Sequence, residues 1–493
     1  MGMAGAGLFS GTGDPLTLSG NPAGLGWLST SVVGGDFSIQ RAGSDTKFDT
    51  PDATTTGDRT VSDYRLGSFG GAYSFPTKRG SLVLGVSFHQ SNTYGRGFDV
   101  TGRNSASSLT GTLLPGGFEV DGDDLVFDDP RSRIAYEAGA IDFSQTVFDN
   151  GNYPFFPAAD PQDAAVDGQM VLQQRENVLE SGQMNELSIG SAVEVAPRVM
   201  IGGGLNITFG SYEFERFYTE TEPSALLPPQ DPANPQPPYD PYFLAGTNLE
   251  GFYEYQLEER IDADLAGVNF RAGVSAKLTS GLRGGLLIES PTWFTITEVF
   301  GTQMRTDFDC DFGRSGSPCP TGGVSGFESG SLTGNEFDYE LKTPWRIGAG
   351  LQYSQNGLTV AGDLEVVDWT QAEVTADDAS FTALNREIQT LDATFNGRLG
   401  VEYAFSSVAL RGGAAYRPDP RGTSFQDVDG QSTEGEHLFL SAGATYTPDD
   451  QFSLHVSWMQ EHFDDQFRSY SAGPLVREAL TRNQFLLGIT YRL

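Results

Sequence analysis

The 493-residue chain contains no apolar run of 18 or more residues, which argues against a membrane-spanning helix. It says nothing against a closed barrel, because closure pairs every backbone N–H and C=O that lipid would leave unsatisfied. Basic residues are scarce: 30 Lys and Arg stand against 65 Asp and Glu, for a formal net charge of −35. Phosphate binding needs a basic face, so nucleic acid is excluded as a partner. The only lysines are Lys47, Lys78, Lys277 and Lys342. Either a high-salt habitat, where screening weakens self-repulsion, or a GC-rich genome accounts for that. Cys310 and Cys319 are the only cysteines, inside a Gly/Pro/Ser-rich stretch. An extracytoplasmic disulfide closing this loop is the preferred reading over free thiols, and without nearby histidines the pair makes a poor zinc site. The four histidines, His89, His437, His455 and His462, lie in no nucleophile motif, so an outer-membrane phospholipase or protease is disfavoured and no cofactor is expected. Asp121-Gly122-Asp123-Asp124 does not match an EF-hand loop and reads as solvated surface. Met1 to Ser10 has no basic start followed by an apolar stretch, so a barrel with this sequence is expected to be a mature or truncated form.

What the chain has in quantity is glycine, 62 residues, and aromatics, 12%, at a mean hydropathy of −0.29. Its dominant pattern is period-two alternation in segments of about ten residues, as for a strand with one face on lipid and the other on a polar lumen. Phe485, Leu487, Ile489, Tyr491 and Leu493 alternate with Gln484, Gly488, Thr490 and Arg492. Phe395, Leu399, Val401 and Tyr403 oppose Asn396, Arg398 and Glu402. Fourteen such strands are predicted, near 29–40, 62–76, 80–92, 183–196, 198–216, 252–277, 281–300, 336–354, 357–373, 388–405, 407–417, 435–447, 451–467 and 482–493.

The connections alternate in length. Tight turns are expected at Thr77-Lys78-Arg79, Pro197, Thr279-Ser280-Gly281, Gln355-Asn356-Gly357, Ser406-Ser407 and Pro448-Asp449-Asp450. The others are long and polar, including 93–182, 217–251 and 301–335. Short turns on one rim and long loops on the other suit a bacterial outer-membrane barrel. The first long loop is acidic and carries Tyr153-Pro154-Phe155-Phe156-Pro157, and its stretch Asp163 to Leu179 suits a short helix.

Ahead of the first strand lie Gly2-Met3-Ala4-Gly5-Ala6-Gly7, Gly13-Asp14-Pro15 and Asn21-Pro22-Ala23-Gly24-Leu25. This opening resembles the N-terminal plug of the long-chain fatty-acid transporter (FadL-type) family. Thr343-Pro344-Trp345-Arg346-Ile347-Gly348 and Val367-Asp368-Trp369 resemble that family's later hairpins, so the likeness runs over essentially the whole chain. One departure is the ending Tyr491-Arg492-Leu493, where outer-membrane barrels commonly end in Phe. The resemblance implies an all-β fold, a 14-stranded antiparallel transmembrane barrel over 29–493 with residues 1–28 as a plug in its lumen. Asn21, Pro22, Ala23 and Gly24 would form the plug's turn; an ordinary flexible N-terminal arm is the alternative. It further implies passive, plug-gated passage of fatty acids or related hydrophobic molecules, captured by extracellular loops and released sideways beside a kinked strand, in contact with outer-membrane lipid.

Within that frame Phe155, Phe156, Leu226, Leu227, Tyr239, Tyr242 and Phe243 are candidate landing residues, or else they order their own loops. Gly67, Gly70, Gly71 and Gly85 mark either a wall defect or packing against the plug. Alternation points Arg271, Arg283, Arg398, Arg411, Glu289, Asp363, Glu365 and Glu402 into the lumen, either to bind a carboxylate or to pair with one another and the plug. A secretion or surface-attachment component docking a protein partner at the acidic loops is the competing function.

Overall fold

The computed structural model describes residues 2–11, 18–122, 124–161, 171–221, 252–308, 326–377, 380–422 and 435–493. Leu226, Leu227, Tyr239, Tyr242, Phe243, Cys310 and Cys319 lie outside the described residues.

The chain forms a closed 14-stranded antiparallel barrel. Its strands are β1 (Val32–Asp49), β2 (Thr54–Phe75), β3 (Leu82–Thr93, continued by Arg96–Asn104), β4 (Leu172–Ala196) and β5 (Val199–Thr221). Next come β6 (Phe252–Lys277), β7 (Leu282–Glu289 and Trp293–Phe308), β8 (Gly326–Lys342 and Arg346–Gln355) and β9 (Leu358–Asp368 and Glu373–Thr375). The last are β10 (Ala393–Phe405), β11 (Val408–Arg417), β12 (His437–Tyr446), β13 (Phe452–Arg468) and β14 (Leu475–Arg492). Closure comes from β14 pairing with β1, from Val32↔Arg492 to Asp49↔Leu475, which leaves neither strand as an edge.

Alternation sorts the side chains. Phe37 and Ile39 on β1, Ile201, Leu205 and Ile207 on β5, and Leu487 and Ile489 on β14 are exposed on the outside, with Leu399 on β10 reaching 68%. Such a band on every wall would aggregate in water, whereas hydrocarbon accommodates it. Tyr73, Tyr353, Tyr403, Tyr446 and Tyr491 are exposed toward the turn side, the position of an interfacial aromatic girdle. Past Ile39 the outer face of β1 carries Arg41, Asp45 and Lys47, so the apolar band ends there.

On the turn side the expected tight connections form. Asn356 and Gly357, with φ of 51° and 81°, make the two-residue turn whose twist matches its strands, and Arg198 and Ser406 also take positive φ. On the loop side the strands rise higher than alternation alone suggested: β7 reaches Phe308 and β8 starts at Gly326. Both kink together at Pro291 and Pro344, where proline removes a ladder donor. The kink is stitched by Thr292 N donating to Thr343 Oγ1 at 2.8 Å and Thr343 N to Thr292 O at 3.0 Å.

The helix expected within Asp163 to Leu179 is not found where the structure describes that stretch: Leu172–Leu179 belongs to β4. Leu172, Gln174, Glu176 and Val178 turn inward at period two, and the segment pairs with Arg96–Asn104 on one side and β5 on the other. Two ladders outweigh local helix preference.

Between β3 and β4 the loop folds into a cap of its own. A hairpin, Phe118–Asp121 with Asp124–Phe127, places Asp121 and Asp124 at its turn, and a helix, α1 (Pro130–Glu137), is capped by Asp129 accepting from Arg131 N and Ser132 N. Leu109, Leu113, Ile134, Ala135, Ile141 and Phe155 pack against Tyr218, Tyr255, Leu257 and Met304 from the strand tops. Glu220, above the apolar band, is buried there and accepts from Leu109 N at 2.7 Å and from Gln174 and Tyr218 at 2.8 Å; burial pushes its carboxyl above the usual range.

Candidate functional site: the lumen and its N-terminal segment

The N-terminal residues lie inside the barrel, and Asn21 organises how they sit. As N-cap of the short 3-10 helix Pro22–Trp27, it accepts from Ala23 N at 3.1 Å, while Pro22 supplies a preset φ where no donor is needed. Its amide nitrogen donates to Phe9 O at 2.7 Å, and to the wall at Val274 O (3.0 Å) and Leu286 O (3.2 Å). With 0% exposure, every polar atom of this side chain is matched.

The wall makes room by omitting side chains. A Cβ on Gly273 would overlap the Asn21 amide, one on Gly202 the Pro22–Ala23 backbone, and one on Gly285 the Phe9 carbonyl. Further round, Gly350 faces Phe9 and Ser10, and Gly400 and Gly413 face Met3. Leu18 and Leu25 pack on Val83, Ala72 and Ala192. Trp27 donates to Ser275 Oγ at 2.9 Å under Lys277 and Arg283, whose charges stand 4.5 and 4.8 Å from its ring. Arg283 also donates to Gly11 O. On the turn side of this segment a vestibule of about 460 Å3 is lined by Gly2, Met3, Asp36, Glu402, Arg411 and His455, among others.

A belt of charges runs round the lumen above it. Arg271 on β6 grips Glu186 of β4 through two parallel bonds of 2.5 and 2.8 Å, reaches Glu289 of β7 at 2.7 Å, and donates to Leu18 O at 3.2 Å. It therefore ties three strands and the N-terminal segment together. Arg398 lies 5.0 Å above the Phe9 ring and 3.7 Å from Glu365; below the segment, in the vestibule, Arg411 pairs with Glu402. All eight charges that alternation aimed inward sit on the inner face. One level higher, Phe294, Ile296 and Ala263 form an apolar patch with Met184, Tyr212, Leu265 and Leu341.

The wall is not uniform. β2 pairs with β3 only from Phe75↔Leu82 to Ser68↔His89; beyond that, Thr54–Gly67 of β2 has a ladder to β1 alone. At Tyr94 and Gly95 β3 kinks, and its upper part pairs only with β4. Side chains span the gap: Thr55 Oγ1 donates to Thr101 O, Arg59 to Val178 O at 3.3 Å, and Arg65 to Gly182 O at 3.2 Å and Gln183 at 2.8 Å. The lower end of this seam lies beside Leu66 and Tyr64, both exposed on the outer face.

Of the flagged glycines, Gly67 sits opposite the register shift at Asp36/Phe37, whereas Gly85 faces Leu18 and Leu25. The kink itself falls at Gly95, which alternation left inside a loop. Phe155 is only 3% exposed, within the cap's aromatic cluster with Phe118, Phe127 and Phe143, and Phe156 is half-buried beside it. The cap's exposed apolar side chains are instead Val126, Phe148 and Tyr153, a distinction that depends on how the loop folds. His437 hydrogen-bonds Glu461 at 2.8 Å, His455 bonds Thr445 and Thr490, and His462 bonds Thr481.

These features define a class: a fourteen-stranded barrel with its N-terminal segment seated in the lumen. The fold is that of a FadL homologue from Pseudomonas aeruginosa, which the chain resembles at a TM-score of 0.54 and 12% identity over 100% of this chain and 98% of that one. The toluene transporter TbuX of Ralstonia pickettii follows at 0.47 and 13%, over 100% and 98%, and the toluene transporter TodX of P. putida at 0.46 and 10%, over 97% and 94%. At such identities the likeness concerns the fold. No family model and no curated protein matches the sequence.

Proposed function

We propose that the chain is an outer-membrane protein of the FadL type that carries hydrophobic small molecules across that membrane by passive diffusion. The observation that carries this reading is the pairing of two features in one wall: an N-terminal segment occupying the lumen, and a ladder break between β2 and β3 within reach of the apolar band. A water-filled pore has use for neither. Solutes partition first onto the cap, where Tyr153, Phe148 and Phe156 border the Phe155 cluster; by their sequence alone, Leu226, Leu227, Tyr242 and Phe243 are further landing residues and Cys310 with Cys319 a disulfide pair. They then reach the lumen above the N-terminal segment, which acts as the plug, and leave through the seam as it widens or past the plug as it shifts. No covalent step is required.

The test is uptake of radiolabelled hexadecanoate and of toluene by an outer-membrane host expressing the full chain, beside mass spectrometry of molecules that co-purify with it. Uptake above the empty host, with hydrophobic ligand recovered, supports the reading. Uptake equal to the empty host and no such ligand would overturn it. Stoichiometric recovery of a protein without lipid would favour secretion or surface attachment through the acidic loops.

A further inference from the structure

Charge on the outer face of the barrel is unevenly spread. Above the apolar band the wall from β5 to β8 turns acidic groups outward, among them Glu213, Glu215, Asp264, Asp338 and Glu340, all exposed. Arg260 in that wall is paired with Asp262 at 2.8 Å. The wall formed by β13, β14, β1 and β2 is built instead in tiers. Just above Ile39 and Phe485, Arg41 is exposed, opposite Asn483 on one side and Ser62 on the other. The next tier, Gly43 with Thr60 and Thr481, carries no charge there. Above it Asp45 stands directly opposite Asp58, with Asp464 in the same row beyond Ala479. Highest, Lys47 stands directly opposite Arg477.

Like charges set directly across a ladder repel, and both upper tiers are like-charge pairs. Arg477 donates to Asp49, but among the described residues neither Arg41 nor Lys47 has a carboxylate within the 4.0 Å ion-pair limit. A groove of about 660 Å3 lies over these tiers, lined by Asp45, Lys47, Asp58, Asp464, Gln466 and Arg477 among others. In a chain with a net charge of −35, segregated outward cations need an anion. The spacing says which kind. Arg41 stands at the top of the apolar band, over the exposed side chains of Tyr64, Ile39 and Phe485, on which lipid tails would lie. Lys47 is about 20 Å further along the strand at about 3.3 Å per residue, beyond reach of a phospholipid whose one phosphate sits at a single level. The carboxylates between them reject anions but accept hydrogen bonds from hydroxyl groups. A ligand that is anionic, then rich in hydroxyls, then anionic again matches all three charged tiers; free phosphate matches only one.

We propose that this outer face is a docking site for a phosphorylated glycolipid of the outer leaflet. Arg41 takes a phosphate at the membrane surface, Asp45, Asp58 and Asp464 accept from sugar hydroxyls, and Lys47 and Arg477 meet acidic groups further out. The inference needs the outer-membrane location but not the transport reading. Because β2 has no ladder to β3 beyond Ser68, a lipid docked here stands beside the seam, with Tyr64 and Leu66 under its tails.

The experiment reconstitutes the full chain in phosphatidylcholine nanodiscs doped with one of three probes: a rough-type lipopolysaccharide, the same lipid with its phosphates removed, or phosphatidylglycerol. Native mass spectrometry on release from the discs reads the lipid retained per barrel. Wild type should retain the phosphorylated glycolipid in preference to both other probes, and raised ionic strength should reduce that preference. Arg41→Ala and Lys47→Ala should each weaken retention about fivefold, the effect of one basic side chain at an anionic membrane surface, and Arg41→Glu combined with Lys47→Glu should abolish it. Arg260→Ala in the acidic wall should leave retention unchanged. Heat-modifiable electrophoretic mobility, the same in every variant, checks that the barrel is folded. Equal retention of the phosphorylated and dephosphorylated lipids, equal retention of phosphatidylglycerol, or equal retention by wild type and the double variant would each overturn the site. None of these outcomes bears on uptake of hydrophobic molecules, so the transport reading stands or falls separately.

Discussion

Two stretches of the same wall are built differently. From β4 to β6 the ladder is continuous: β5 pairs along its whole length, Val199 to Thr221, with a neighbour on each side. From β2 to the upper part of β3 it stops at Ser68 and His89, and Thr55, Arg59 and Arg65 stand in for the missing backbone bonds. A backbone ladder opens only when strands separate together, whereas side-chain bridges can release one at a time. On the transport reading proposed above, the difference marks where the wall would part without unfolding the barrel.

That contrast can be attacked directly. The largest effect is expected from a lock: Thr55→Cys with Thr101→Cys, oxidised across the seam, should abolish most uptake and recover it on reduction. A cysteine pair at Phe209 and Ala266, opposed on β5 and β6, should leave uptake unchanged on oxidation. Equal loss from both pairs would mean the seam is no special route. Next is Arg271→Ala in the continuous wall, which strands Glu186 and Glu289 and should destabilise the barrel by about 3–5 kcal/mol, read from thermal unfolding in detergent. An unchanged midpoint would show that lumen water already screens this cluster.

Smaller effects concern the N-terminal segment. Gly202→Val puts a branched side chain where the Pro22–Ala23 backbone lies and should cost about 1–3 kcal/mol while raising single-channel conductance in planar bilayers. Asn21→Ala removes two N–H donors shared among three carbonyls and should cost a similar or slightly smaller amount, about 1–3 kcal/mol, again with increased conductance. Conductance at the wild-type level in both would separate the segment from any gating. The smallest effect is Arg65→Ala at the seam: its ion pair with Asp63 is partly exposed, so stability should change by less than about 1 kcal/mol, yet initial uptake rates should rise.

Alternation made the fold readable because each strand reports its own two faces: outward Leu399 and Val401 and inward Arg398 need no knowledge of the rest of the chain. The turns were readable for the same reason, since Asn356-Gly357 carries its geometry locally. The site was readable only in part. Asn21-Pro22 announced a capped turn, but not that the Asn21 amide would meet Val274 and Leu286. Segment 172–179 looked helical because its partners, Arg96–Asn104 and β5, are distant in sequence. Phe155 looked like a surface aromatic because nothing local shows that Phe118, Phe127 and Phe143 fold over it.

By itself, then, the sequence determined the number of strands, the rim each connection belongs to and the face each side chain takes, because a period of two and a turn's backbone angles are properties of neighbours. Tertiary structure decided which wall glycines receive the N-terminal segment, where the β2–β3 ladder ends and which lumen arginine meets which carboxylate. Those depend on the register between strands far apart in the chain: Asn21 meets a carbonyl 253 residues away, and the lumen's charge balance is the sum over fourteen such registers.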